Sequence, residues 1–278
     1  MSKIFRKYVS SLINLFIQKN PGILLNWAAL FLLSVFFGVG CSSNGSHSGS
    51  KNAPNAKVQG PSPVDPQNPP QIRIEGIAAD ALYEEGSLIK ILVSNYPVGK
   101  AWQGFELVLN DGEPERFYES RIDYKLPVAK LRKGANLLKA YLVRSWGEAV
   151  KNREAFAYVP FFFESKGLSW VAPGRPIVTL VSPRGEYRGE DAKKVLFDFL
   201  VHTAGAEEKT WKVHYNLNGS KLELSSGKAY YFNDLASGDY ELKVEAVNSR
   251  GIPLGQVVTR SRSSFQIIQE TEDEKNNN

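Results

Sequence analysis

LRKGANLLKAYLVRSWG (residues 131–147) and LASGDYELKVEAVNSRG (residues 235–251) are two copies of one pattern. They align without gaps and share Leu, Gly, Leu, Lys, Val, Ser and Gly at identical spacing. The Leu-x-x-Gly portion predicts a turn that leads into a strand, with Leu138 or Leu242 pointing inward. Gly147 or Gly251 is expected to close the hairpin that follows. The chain therefore contains an internal repeat.

Strand patterns flank both copies at corresponding places. Apolar residues recur with period two, rich in β-branched and aromatic types, which is typical of strands. A second strand follows and ends in an Asn/Gly turn that tolerates positive φ. In the first copy these features are Ile89–Val93, Phe105–Leu109, Asn110-Asp111-Gly112 and a final strand over 155–163; in the second they are Val195–Val201, Val213–Leu217, Asn218-Gly219 and 257–268.

The segment Leu-x-x-Gly-x-Tyr-x-Leu-x-Val from Leu235 to Val244 resembles the entry to strand F of immunoglobulin-like domains, where a tyrosine forms a corner. The resemblance implies this role for Tyr240, while Asn136 stands at the matching position of the first copy. It also implies an all-β fold with two tandem Ig-like β-sandwich domains. Neither copy has the paired cysteines of antibody domains.

The predicted domains are residues 71–165 and 177–268. Residues 166–176 have the Gly/Pro punctuation of a linker, so we expect neighbouring domains that can pivot. The run Pro160–Phe163 has apolar side chains on both strand faces, which predicts a strand covered by the neighbouring domain. Residues 269–278 are polar and predict a disordered tail.

Cys41 is the only cysteine, and it follows an apolar stretch, Ile23–Gly40, that comes after four basic residues. A basic n-region, an apolar h-region and small residues before the cleavage point mark an export signal. The sequence Phe37-Gly38-Val39-Gly40-Cys41 resembles the lipobox of bacterial lipoproteins. The resemblance implies a signal peptide over residues 1–40, cleavage between Gly40 and Cys41, and acylation of Cys41 with chains such as palmitate. Because the apolar stretch approaches the roughly 20 residues that span a bilayer, an uncleaved membrane helix is the alternative.

Residues 41–70 form a Ser/Gly/Pro-rich segment that offers little to bury, so we predict a disordered linker holding the folded part away from a membrane. By the sorting logic of Gram-negative lipoproteins, Ser42 after the cysteine implies the outer membrane.

The charge of the chain excludes one class of partner. The formal net charge is +5, but residues 1–40 hold four basic and no acidic residues, which leaves 30 basic against 29 acidic residues in the remainder. The electrostatic footprint of nucleic-acid binding is therefore absent from the exported part. We expect a lipid-anchored protein of the bacterial cell envelope.

Catalytic patterns are not found in the sequence. The histidines, His47, His202 and His214, do not fall at metal-ligand spacings, and no Gly-x-Ser-x-Gly, His-Glu-x-x-His or P-loop pattern occurs. We therefore predict no enzyme activity, no metal and no cofactor.

The remaining candidates for function are aromatic residues near loops. Trp102, Trp146 and Trp170 are the candidate binding residues, and Trp211 is expected to fill a core. The predicted function is a membrane-tethered, non-enzymatic binding or scaffolding lipoprotein with an envelope-protein partner. The alternative is a carbohydrate- or peptidoglycan-binding module, which a coplanar pair of exposed aromatics would favour. A weaker alternative is a hydrolase, which needs two carboxylates or a histidine converging in one cleft.

Overall fold

The computed structural model describes residues 57–59, 64–172, 174–203, 211–224 and 228–268. This part of the chain is all-β and forms two tandem Ig-like β-sandwich domains, as the repeat predicted. The strands are β1 (Lys57–Gln59), β2 (Gln71–Glu75), β3 (Ala81–Leu82), β4 (Ile89–Ser94), β5 (Gly104–Leu109), β6 (Glu115–Phe117), β7 (Arg121–Tyr124), β8 (Gly134–Val143), β9 (Phe156–Phe163), β10 (Pro176–Ser182), β11 (Gly185–Arg188), β12 (Lys194–Thr203), β13 (Trp211–Leu217), β14 (Ser220–Leu224), β15 (Ala229–Asn233), β16 (Gly238–Asn248) and β17 (Arg260–Ile268). One short helix, α1, spans Gly189–Lys193, and 3-10 turns cover Lys100–Trp102, Val128–Lys130, Arg153–Ala155 and Val257–Thr259.

Both domains use the same strand order. The first domain has sheets β2-β4-β7 and β3-β9-β8-β5-β6, and the second has β10-β12-β15 and β11-β17-β16-β13-β14. The repeated segment supplies β8 in one domain and β16 in the other, each paired antiparallel on both sides. Leu138 and Leu242 are fully buried in the cores of their own domains, so the predicted inward positions are confirmed.

Tyr240 forms the corner that the resemblance implied. Its hydroxyl donates a hydrogen bond to the carbonyl oxygen of Ala236, 2.9 Å away and four residues upstream. This bond fixes the turn that feeds β16, because it satisfies a backbone acceptor in a segment outside the sheet ladder.

Asn136 does the same work in the first domain with a shorter side chain. Its Nδ2 donates to the carbonyl of Arg132, again four residues upstream, at 2.6 Å, and its Oδ1 accepts from the amide of Arg132 at 2.9 Å. Asn110 Nδ2 also donates to this Oδ1, at 3.0 Å. The corner is therefore preserved by an amide network that ties the turn before β8 to the end of β5.

A third buried cluster joins the two domains. It takes Val108, Leu137, Tyr141, Val143, Ala149 and Phe156 from the first domain and Ile177, Val181, Leu200 and Val258 from the second. The outer face of the β5-β8-β9 sheet therefore packs on the outer face of the β10-β12 sheet, so four sheets lie in a stack. The composition of residues 166–176 predicted that the two domains can pivot. A buried apolar interface between them opposes such a motion.

Part of the predicted disordered linker is ordered. Lys57–Gln59 form β1, which pairs antiparallel with Ala229–Tyr231 of β15 in the second domain. The carbonyls of Pro69 and Pro70 accept hydrogen bonds from Asn95 Nδ2 at 3.3 Å and Asn152 Nδ2 at 2.8 Å in the first domain. These few residues of the predicted linker have defined partners, while residues 41–56 and 60–63 lie outside the described part of the chain, and for them the disordered linker stays a prediction.

Lys139 lies on the interdomain face of β8, between Leu137 and Tyr141 in the alternation of the strand, and is 4% exposed. Burial lowers the pKa of Lys139 to about 8, against the opposing attraction of Asp111, and Arg184 lowers it further. A cation here costs stability, because desolvation disfavours the charged form.

We expect Lys139→Met to raise the free energy of unfolding at pH 7 by about 1–3 kcal/mol. Because the folded pKa lies below the unfolded one, the unfolded wild-type chain holds more protons between about pH 8 and pH 10, so its stability rises with pH in that window. Urea unfolding at pH 7, 8.5 and 10 should show this rise in wild type and in the exposed control Lys90→Met. A rise of equal size in Lys139→Met would contradict the assignment.

Candidate binding surface

Trp102 is the most exposed tryptophan among the described residues. It lies in the loop between β4 and β5, and 74% of its surface is exposed. Its ring meets the ring of Tyr118, itself 39% exposed, edge to face, with the centroids 5.9 Å apart and the planes at 81°. A large aromatic side chain held in solvent by a second aromatic is a feature of recognition surfaces.

The backbone that holds Trp102 outward is strained. Ala101 and Trp102 both have positive φ, 48° and 61°, a conformation that L side chains rarely adopt. Gly104 follows, and a Cβ there would stand 2.3 Å from the carbonyl oxygen of Phe117, so only glycine allows β5 and β6 to approach so closely. Strain of this kind persists only when the surrounding structure enforces it, and it is concentrated at functional sites.

Trp146 lies at the same end of the first domain. Gly104 of β5 pairs with Val143 of β8, which places the loop before β5 and the hairpin after β8 side by side. Tyr96 bridges them, because its hydroxyl donates to the carbonyl of Val143 at 2.9 Å. Burial raises the pKa of Tyr96 to about 12, which keeps this donor protonated.

The indole of Trp146 is held in one orientation. It is 51% exposed, its Nε1 donates to Glu148 Oε2 at 2.9 Å, and the guanidinium of Arg144 lies 5.5 Å from the ring centroid. We call the surface formed by Trp102, Tyr118 and Trp146 the tryptophan end. Sequence reasoning found both tryptophans but missed Tyr118 and their convergence, since strand register decides which loops meet.

Trp170 is not part of this surface. It packs against the interdomain cluster, with the guanidinium of Arg132 5.1 Å from its ring centroid. Trp211 is 7% exposed and belongs to the core of the second domain, as predicted. Trp102 and Tyr118 are also not coplanar, so the two-ring platform that would favour a glycan is absent from this pair.

A cleft of about 370 Å³ opens at the opposite end of the first domain, near Leu109 and Leu138. Two acidic residues, Glu113 and Glu115, line it, and Glu115 accepts hydrogen bonds from Tyr124 Oη and Lys130 Nζ, both at 2.9 Å. The pKa of Glu115 is lowered by the bond from Lys130. Glu113 and Arg132 are paired with Arg184 and Asp111, which lie outside the lining, so the charged groups of the cleft already have partners.

The carboxylates that a hydrolase would need are sealed between the domains. Asp198 of β12 is fully buried, accepts a hydrogen bond from the amide of Ala149 at 2.7 Å and binds Lys151 Nζ, which also donates to the carbonyl of Phe199 at 2.9 Å. Burial raises the pKa of Asp198, while Lys151 and the Ala149 amide oppose this.

Glu106, a second carboxylate at this interface, accepts a hydrogen bond from Tyr141 Oη at 2.8 Å, and burial raises the pKa of Glu106. His202 stacks on Phe156 and meets Tyr158 edge to face, with ring centroids 5.2 and 5.1 Å away, and burial lowers the pKa of His202. No group of histidine, cysteine and acidic side chains able to hold a metal occurs in the described part of the chain. These residues therefore join the domains rather than line an open cleft.

Cys41 and Gly40 lie outside the described residues, as do the apolar stretch Ile23–Gly40 and His47. Within the ranges that the structure does describe, no helix has both the length and the apolar character needed to cross a bilayer.

Comparisons with known proteins return structures and no sequence family: no family model matches, and no curated protein matches. Fibronectin(III)-like modules of CbhA from Clostridium thermocellum are 16% identical, cover 72% of this chain and 95% of their own, and give a TM-score of 0.27. The N-terminal Ig1-2 module of the Drosophila receptor protein tyrosine phosphatase DLAR is 13% identical, covers 73% and 100%, and gives 0.24. The extracellular domain of a putative one-component system from B. thetaiotaomicron is 10% identical, covers 67% and 30%, and gives 0.26. At such TM-scores the likeness carries no argument about function.

We expect Lys151→Met to lower the free energy of unfolding by about 3–5 kcal/mol, because it leaves the buried Asp198 carboxylate without its cation. The double variant Lys151→Met/Asp198→Leu removes both charges and should recover most of that loss. Lys212→Met, which breaks the exposed pair with Glu223, is the matched control and should leave stability unchanged. Chemical denaturation of the variants measures these differences, and an equal loss in the single and double variants would contradict the prediction.

Proposed function

We propose that this protein is a non-enzymatic binding or scaffolding lipoprotein of the bacterial cell envelope. It is held to the membrane by lipid on Cys41 and engages an envelope protein through the tryptophan end. The observation that carries the binding role is that two exposed tryptophans and Tyr118 lie at the same end of the first domain, with Trp102 presented by a backbone of positive φ.

The chemistry of the tryptophan end favours a protein partner. Tryptophan, tyrosine and arginine are the residues most enriched among interface hot spots. At the tryptophan end, the ring of Trp102 contacts Tyr118, and Arg144 lies over the ring of Trp146. Lys100 and Glu119 are exposed around them, which gives the apolar surface a charged rim. Because strained backbone and hydrogen bonds fix both indoles before a partner arrives, little side-chain freedom is lost on binding.

A glycan partner is the second candidate, and the exposed indole of Trp102 is the observation that favours it, since one tryptophan can stack on one sugar ring. The edge-to-face geometry of Trp102 and Tyr118 offers no flat surface for a second ring.

The anchoring part of the proposal is supported by the sequence alone. The lipobox-like residues before Cys41 and the chemistry of the segment after it are those of an exported, acylated chain. The segment from Cys41 to Lys57 can span up to about 55 Å when extended, which is enough to hold the domains clear of lipid headgroups.

We expect Cys41→Ser to release the protein from the membrane fraction of a bacterial host. Intact mass of the wild-type protein should give a chain that begins at Cys41 and carries acyl chains, and both features should be lost in the variant. A full-length wild-type chain without acyl mass would instead identify Ile23–Gly40 as an uncleaved membrane helix and would end the lipoprotein assignment.

We expect Trp102→Ala to abolish partner capture without changing the thermal stability, because the removed indole lies largely in solvent. A photo-crosslinking residue at position 119 should form a protein adduct in the native envelope, and Trp102→Ala should lose it. Leu168→Ala, which removes another highly exposed apolar side chain, is the matched control and should keep it. Trp102-dependent pelleting with insoluble polysaccharide, with no protein adduct, would favour the glycan candidate.

A further inference from the structure

Strand β15 differs in composition from the strands at the edges of the described sheets. Edge strands usually carry charges or proline that prevent another strand from pairing with them. In the described sheets, β2, β6, β7, β11 and β14 carry charged residues, β10 begins at Pro176, and β3 has only two residues. The sequence of β15, Ala-Tyr-Tyr-Phe-Asn, has no charge and no proline.

The first domain supplies an internal comparison. Its strand β7 occupies the position that β15 occupies in the second domain, since both pair with the middle strand of the smaller sheet. Strand β7 is left as an edge and carries Arg121 and Asp123, whereas β15 lacks such charges and is covered by β1. The two equivalent strands therefore differ: β7 is a charged edge strand, and β15 is an uncharged strand paired with β1.

The strand that pairs with the outer edge of β15 is short, and it belongs to the predicted linker, residues 41–70, which we call the tether. Strand β1 has three residues and pairs only with Ala229–Tyr231, so Phe232 and Asn233 extend beyond it. A pairing of three residues gives few ladder hydrogen bonds, and its strength depends on its connection to the rest of the chain.

Side chains on the outer face beside this edge have defined contacts. The ammonium of Lys194 lies 4.2 Å from the ring centroid of Tyr231. Tyr231 pairs with Leu196 of β12, and Leu196 Cδ2 lies 3.7 Å from the position that a Cβ on Gly147 of the first domain would occupy. A strand added to β15 would therefore lie beside groups held by both domains.

We propose that the outer edge of β15 is a strand-acceptor site, closed at rest by residues 57–59 of the tether and open to an extended segment of a protein partner when those residues detach. The main-chain hydrogen bonds of β15 supply the affinity in this mode, as in other cases of strand addition. The proposal adds a second contact surface to the binding role proposed above, and it rests on that role only for the existence of a protein partner.

Proline substitutions in β1 test this site in the full chain. In an antiparallel pair only alternate residues bond to the partner strand, so Val58→Pro and the double variant Lys57→Pro/Gln59→Pro together cover both possibilities. The probe is a fluorescent peptide with the sequence of residues 54–62. At least one β1 variant should bind it ten-fold or more tightly than wild type does, and Ala53→Pro, a proline in the tether outside β1, should behave as wild type.

Hydrogen exchange locates the binding. Those amides of Ala229–Tyr231 that point to β1 should exchange faster in the responding variant and regain protection with the peptide. A peptide with proline at positions 57, 58 and 59 should restore nothing. Equal, weak binding by all variants, or unchanged exchange in β15, would overturn the proposal. A dimer of the variant with protected β15 amides would make a second copy the occupant and would overturn the partner assignment. The assay uses neither membrane nor the tryptophan end, so its failure leaves the anchoring and the tryptophan-end proposals intact.

Discussion

One buried ion pair, Asp198 with Lys151, defines how the two domains meet. Asp198 projects from the outer face of β12 into an apolar interface and is held there by the amide of Ala149 and by Lys151, both from the first domain. A charge in this environment is tolerated only with its partners in place, so the two sheets can meet in one register and no other nearby. Contacts between the apolar residues around Asp198 stabilise the interface but do not favour one relative position of the sheets. The ion pair favours one position, because its two atoms must meet.

The repeat made much of the fold predictable. Identical spacing in residues 131–147 and 235–251 led to equivalent strands, buried leucines and hairpins, and the corner at Tyr240 follows a pattern that depends on one side chain. The corner at Asn136 could not be predicted in the same way. Its function depends on Asn110, which is distant in sequence, and only the folded sheet brings the two amides together.

The stacking of the domains was largely hidden in the sequence. Strand β8 is buried on both faces, but it carries Lys139 and Asn136, so it does not read as a continuous apolar run. The apolar run Pro160–Phe163 pointed to a covered strand, yet β9 meets the interdomain cluster through Phe156 and Tyr158 instead. The composition of the linker indicates only how flexible the linker itself is. The interface between the domains is formed by residues on strands that are distant from the linker in sequence.

The segment before the first domain contacts the second domain first. The first domain comes first in sequence, but the segment that leads in from the N-terminal side meets β15 of the second domain at Lys57–Gln59 before it reaches β2. Tension applied to that segment would be carried first by β1 and its short ladder, then by the bonds at Pro69 and Pro70, and only afterwards by the sandwiches. Under such tension the segment before β2 would yield in steps, because the three-residue ladder of β1 would separate before either core is loaded.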